Sequence, residues 1–112
     1  NNNFSNLDVS NLIFLKSLSM NNNLLKKIDV SNCSELEYLN LSNNKIQVID
    51  VSENLALTHL NIFSQHFSNN NMDFYPLDCI KVNQTQLEKI GVNELVLFSD
   101  DNNGIVPSLI CK

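Results

Sequence analysis

Asp100-Asp101-Asn102-Asn103-Gly104 gathers carboxylates and amides ahead of a glycine, a composition with which a loop can hold a hard cation through oxygen ligands. The spacing breaks the calcium-loop pattern. Counted back from Gly104, the first ligand position is Ser99, and the position of the closing bidentate carboxylate is Ile110. The segment reads instead as a turn with Gly104 at positive φ. Zinc chemistry fares no better, because there is no C-x-x-C pair and His59 and His66 lie far in sequence from Cys33, Cys79 and Cys111. Serine, histidine and aspartate are all present, yet no G-x-S-x-G or H-E-x-x-H occurs, and two glycines cannot build a phosphate-cradling loop. We expect no metal site, no cofactor and no catalytic residue, and hence no enzyme. Recognition chemistry remains: Tyr38, Asn40, Ser42, His59, Asn61 and Phe63 offer aromatic faces and uncharged hydrogen-bonding groups, suited to stacking on a sugar or anchoring a protein partner.

What would bring those six residues together is a repeat. Asp8-Val9-Ser10, Asp29-Val30-Ser31 and Asp50-Val51-Ser52 recur every 21 residues, and each follows Leu or Ile. A strict period of that length marks a stacked repeat architecture, in which each unit buries its apolar edge against the next. Leu15, Leu18, Met20 and Asn23 match Leu36, Leu39, Leu41 and Asn44, and then Leu57, Leu60, Ile62 and Gln65. A second apolar set follows each, with Leu25, Ile28 and Val30 matching Ile46, Ile49 and Val51, and Phe4, Leu7 and Val9 filling the same places earlier.

Alternation within the repeat predicts two short extended pieces per unit. In Leu36 to Ser42 the apolar Leu39 and Leu41 alternate with Tyr38, Asn40 and Ser42, the period of a strand with one buried face. Ile49-Asp50-Val51-Ser52 alternates in the same way. Adjacent parallel strands are about 4.8 Å apart, so Tyr38 is expected beside His59 and Ser42 beside Phe63, all facing outward.

The consensus L-x-x-L-x-L-x-x-N-x-[LI]-x-x-I-D-V-S resembles the leucine-rich repeat family, whose core signature is L-x-x-L-x-L-x-x-N. Its 21-residue period and D-V-S phrase are similar to the short repeats of internalin-like and Bacteroidetes surface proteins. The resemblance covers nearly the whole chain. It implies a leucine-rich-repeat solenoid with parallel strands on a concave face, short extended or 3-10 segments on the convex face and an irregular C-terminal cap. It also implies a bacterial extracellular or cell-surface setting and a non-enzymatic adhesion or binding module that takes a protein or carbohydrate on the concave face. Two alternatives stand beside that: a structural spacer in a larger surface protein, and a regulatory appendage of an enzyme whose catalytic domain lies elsewhere.

Asn2, Asn23 and Asn44 occupy one column of the repeat. An asparagine amide has two donors and an acceptor oxygen, so stacked copies can satisfy the backbone groups that a tight corner turns inward. We read this column as a structural ladder. Cys33 stands where Asn54 stands in the next unit and is read as a small residue fitting that corner. Cys79 and Cys111 both fall in the C-terminal third. An odd total allows at most one internal pair, and whether these two form it stays open, loosely spaced cysteines being more often plain buried residues.

The chain is read as one domain, residues 1–112, with repeats over 1–76 and a degenerate last repeat and cap over 77–112. In that last part Leu77, Ile80 and Val82 are expected to take the first strand positions, with Leu87, Ile90 and Val92 in the second apolar set. Asn2 lies 21 residues before Asn23, so the first unit has no strand ahead of it. We therefore expect a piece of a longer protein, with any cap or export signal upstream and with fraying or self-association at the uncapped N-terminal end.

Composition narrows the partners. The 112 residues carry a net charge of −5 with seven lysines and no arginine, which argues against nucleic acid, whose phosphates and bases call for clustered Lys and Arg. No apolar run is long enough for a transmembrane segment. With 43% hydrophobic and 17% charged residues, the chain can build a core, and its polarity comes mainly from Asn, Ser and Gln. Asn3-Phe4-Ser5, Asn32-Cys33-Ser34, Asn40-Leu41-Ser42 and Asn83-Gln84-Thr85 match the glycosylation pattern, as chance allows in so Asn-rich a chain.

Overall fold

A computed structural model describes residues 5–62, 79–91 and 96–98. Over these, the chain forms parallel strands in two sheets and one short helix. The larger sheet has the order β1 (Ser17–Ser19), β2 (Tyr38–Asn40), β4 (His59–Asn61) and β6 (Val96–Phe98), and the smaller pairs β3 (Val48–Asp50) with β5 (Cys79–Lys81). The helix α1 spans Gln84–Gly91.

The 21-residue period is the sheet register. Ser17 pairs with Tyr38 and Tyr38 with His59; Leu18 pairs with Leu39 and Leu39 with Leu60. The central residues of β2, β3, β4 and β5 point into the core, where Leu39, Leu60, Ile49 and Ile80 are almost wholly buried with Leu36, Leu41, Ile46, Val51, Leu57 and Ile62. Burial is shallower at the first unit. Leu7, Leu15, Leu18, Met20 and Ile28 are only half-buried against that cluster.

Each turn of the chain repeats the same local chemistry. After Val9, Val30 and Val51, two consecutive turns close, Cys33 N–H to Val30 O and Leu36 N–H to Cys33 O in one unit, Asn54 to Val51 and Leu57 to Asn54 in the next. The aspartate of each D-V-S phrase accepts the backbone N–H of the serine two residues on, at 2.9 Å for Asp8, Asp29 and Asp50. Ser31 and Ser52 add their hydroxyls at 2.6 Å. This is the local bonding by which Asp favours turns, and it explains why the phrase recurs. At the opposite corner Asn22 and Asn43 sit at φ 61° and 56°, the left-handed region that Asn enters more readily than other residues with a Cβ.

Two columns of polar side chains cross-link the units. Asn44 Nδ2 donates to Met20 O at 2.9 Å and to Leu41 O at 3.0 Å, while its Oδ1 accepts Leu25 N–H at 3.0 Å. Asn23 Nδ2 donates to Met20 O and Asn21 O, both at 3.1 Å. Asn2 lies outside the described residues. The second column runs along the other corner, where Cys33 Sγ donates to Val9 O at 3.7 Å and Asn54 Nδ2 to Val30 O at 2.8 Å and Cys33 O at 3.0 Å. Gln86 Nε2 then donates to Val51 O at 2.6 Å and Asn54 O at 3.0 Å. In each case the donor reaches the valine carbonyl of the preceding unit.

After Ile62 the order of elements departs from expectation. Ile80 pairs with Ile49 in the smaller sheet, so Ile80 and Val82 continue the second apolar set and not the first. Val96–Phe98 takes the next place in the larger sheet, its Leu97 opposite Leu60. Leu87 and Ile90 lie within α1 and not in an extended segment. The reason is that alternating apolar residues satisfy either sheet, and here the corner chemistry selects. Asn83 caps α1, its Oδ1 accepting Gln86 N–H at 2.8 Å while Gln86 Oε1 accepts Asn83 N–H at 3.0 Å. That reciprocal pair is a capping box. It places Gln86 in the second column, which an extended Asn83 to Ile90 would not do. Cys79 is disulfide-bonded and Cys33 is a free, buried thiol; Cys111 lies outside the described residues.

Candidate recognition face

The outward positions of the larger sheet bring together Ser17, Tyr38 and His59 in one row and Ser19, Asn40 and Asn61 in the next. Tyr38 and His59 are side by side, ring centroids 6.3 Å apart and tilted by 37°. Both are exposed, and Asn40 and Asn61 are half-buried. Not one of these six carries a full charge by residue type except His59 when protonated.

Two of the polar groups are held in one orientation. Asn40 Oδ1 accepts both Ser42 N–H at 3.0 Å and Ser42 Oγ–H at 2.8 Å, which turns the amide NH2 the other way. Thr58 Oγ lies 3.0 Å from both Glu37 O and His59 Nδ1, and with its one hydrogen on Glu37 O the ring nitrogen is the donor of the second contact. In the neutral ring Nε2 is then a bare acceptor.

Ser42, expected to face outward, is buried at 8% exposure. Strand β2 ends at Asn40, and the chain has already begun its corner, where the Ser42 hydroxyl is used by Asn40. Phe63 lies outside the described residues. Conversely, Ser17 and Ser19 belong to the face and were legible, since they flank Leu18 as Tyr38 and Asn40 flank Leu39.

A different surface lies at the first corner. Leu12, Ile13 and Phe14 are exposed, Phe14 at 75%. They occupy the places of Cys33-Ser34-Glu35 and Asn54-Leu55-Ala56 in later units. Leu12 thus opens the second column with an apolar side chain in place of a donor.

Electrostatics are local. Hydrogen bonds from the hydroxyl and then the backbone N–H of Ser10, Ser31 and Ser52 hold the Asp8, Asp29 and Asp50 carboxyls below their ordinary value, with Lys81 adding a smaller pull on Asp50. Burial, and to a lesser degree the charge of Asp29, pushes the Cys33 thiol up, which makes it a weak nucleophile. Among the described residues no group of three or more His, Cys, Asp or Glu is placed to hold a metal ion, and no helix is long and apolar enough to cross a membrane. No family model matches the chain, no curated protein matches it, and no solved structure matches it.

Proposed function

We propose that the chain is a stretch of leucine-rich-repeat solenoid from a bacterial secreted or surface protein, and that it works as a non-enzymatic binding module. Its ligand, a protein or a carbohydrate, is taken on the concave face of the larger sheet. The observation that carries this reading is the unslipped register of Ser17, Tyr38 and His59, with Ser19, Asn40 and Asn61 beside them. Stacked units of one length convert single outward positions into continuous rows, and rows of recognition-prone side chains make a surface.

The test is the double variant Tyr38→Ser/His59→Ser, with circular dichroism and melting used to establish that the fold persists. Adhesion to immobilised host proteins and to glycans is expected for the parent chain and to fall at least about tenfold for the variant. Undiminished binding by the folded variant rejects this face. Failure of the parent chain to bind any candidate favours a spacer that holds other domains apart.

The exposed Leu12, Ile13 and Phe14, next to the half-buried apolar residues of the first unit, favour a second association mode in which copies of the chain meet at that end. Sedimentation of Phe14→Ser against the parent tests it. Equal self-association of the two would remove that surface from consideration.

A further inference from the structure

We propose that the sheet face takes a neutral carbohydrate, with the Tyr38 ring under an apolar face of the sugar, one sugar hydroxyl donating to His59 Nε2 and another accepting from Asn40 Nδ2. The proposal rests on the reading of this face as the binding surface and commits it to one class of ligand.

Charge is the first argument. The sequence holds 12 acidic residues and 7 lysines, and none of them falls in 17–19, 38–40 or 59–61, the paired strands β1, β2 and β4. An ionic ligand brought onto such a surface loses water and gains no countercharge, whereas a neutral polyol loses nothing that hydroxyl and amide groups cannot replace.

Preset orientation is the second. A sugar hydroxyl donates and accepts at once, so its site needs donors and acceptors already separated. Asn40 has its oxygen committed to Ser42 and its NH2 without a hydrogen-bond partner among the described residues. His59 has Nδ1 committed to Thr58, and with Nδ1 as the donor Nε2 is left to accept. Because both groups are fixed before binding, little rotamer freedom is lost on contact, the condition under which a small polar ligand gains affinity.

The third is the ring. Tyr38 is 38% exposed, lies next to His59 and stands one register step from Ser17, so its flat face is bordered by small or polar neighbours that leave room for a pyranose. Aromatic side chains with a polar tip serve surfaces where one side of the ligand is apolar and the other wet.

The same bonding pattern supplies a variant. Asp29 and Asp50 accept the N–H and hydroxyl of Ser31 and Ser52 at 2.9 and 2.6 Å, the bonds that Asn40 accepts from Ser42. Asn40→Asp therefore keeps the turn, replaces the NH2 donors by an acceptor oxygen and adds one negative charge to the face. His59→Phe keeps a ring beside Tyr38 and removes the Nε2 acceptor.

The experiment screens the parent chain, Asn40→Asp, His59→Phe and Tyr38→Ser on an array of neutral, sialylated and sulfated glycans and on a panel of immobilised proteins, each variant checked by melting. The expected result is capture of neutral glycans by the parent and a loss of about tenfold or more in each folded variant. Binding to proteins alone, abolished by the same variants, overturns the carbohydrate assignment while leaving the face as the binding surface. Preference for the anionic glycans overturns it too, as does neutral-glycan binding that Asn40→Asp and His59→Phe leave unchanged. Absence of any binding by the parent overturns both this assignment and the reading beneath it. Should Asn40→Asp not fold, His59→Phe and Tyr38→Ser decide.

Discussion

Asn54 reaches back 24 residues to place its side-chain Nδ2 2.8 Å from the carbonyl oxygen of Val30. Gln86 repeats that reach toward Val51, and Cys33 does so weakly toward Val9. Three different residue types thus serve one purpose, that of supplying a donor to the valine carbonyl that each D-V-S corner turns inward. Asn54 itself is fully buried, and its Oδ1 has no hydrogen-bond partner among the described residues.

This unequal fit of Asn54 makes a differential prediction. Asn54→Ala removes the second hydrogen bond at the Val30 and Cys33 carbonyls, which keep Cys33 N–H and Leu36 N–H, and should cost about 1–3 kcal/mol, two buried hydrogen bonds lost. Asn54→Cys copies the preceding unit, restores one weak donor and deletes the unpaired oxygen, so it should cost less than half as much. Denaturant titration of the two variants reads the difference. Equal destabilisation would mean that the column acts through packing and not through hydrogen bonding.

Core truncations should grade along the chain. Leu39 is fully buried and Leu39→Ala is expected to cost about 2–5 kcal/mol, whereas Leu18, its half-buried partner in β1, should cost about 1–2 kcal/mol on the same change. The measurement is again the unfolding midpoint. A Leu18→Ala variant as damaged as Leu39→Ala would show that the first unit is as tightly packed as the second.

Those leucines were readable from sequence because two periods agreed on them, the alternation within a strand and the 21-residue step between strands. Where only one period operated, the reading went astray. Ser42 continues the alternation of β2 but falls beyond its last paired residue, so the face lost one of its expected members. Ile80 was assigned to the first sheet by its alternating neighbours, although Ile80-Lys81-Val82-Asn83 repeats the pattern of Ile49-Asp50-Val51-Ser52 and so announced the second. Gln86 could not be placed by spacing at all, since a capped helix and not a turn carries it into the column. Of the six expected face residues, Tyr38, Asn40, His59 and Asn61 were legible because they flank the two leucines the register pins.

The capping box ties that helix to the rest. Asn83 Oδ1 caps α1 while its Nδ2 donates to Ser52 O at 2.6 Å, so one side chain serves the helix and the corner before it. Asn83→Ala should cost about 1–3 kcal/mol, with about 1 of that from the lost cap. Asn83→Asp retains the cap acceptor, loses the bond to Ser52 and sets a carboxylate oxygen against the Ser52 carbonyl. If hydrogen exchange of the α1 amides sped up as much in Asn83→Asp as in Asn83→Ala, the cap would not be what holds the helix.

Acid should weaken the fold through the three D-V-S aspartates. Their carboxyls titrate below the ordinary value because serine groups donate to the ionised form. A folded value lower than the unfolded one means that the stabilisation is complete above the unfolded value, about 3.9, and is lost as pH falls through the folded value. Melting temperature is therefore expected to hold between about pH 5 and 7 and to drop at lower pH. Asparagine can accept the same two hydrogen bonds without titrating, as Asn40 does from Ser42. The triple variant Asp8→Asn/Asp29→Asn/Asp50→Asn should keep its melting temperature near neutral pH to within a few degrees and lose most of the acid drop. An acid drop as steep as the parent's would assign the pH dependence to other carboxylates and leave the D-V-S aspartates as turn formers alone.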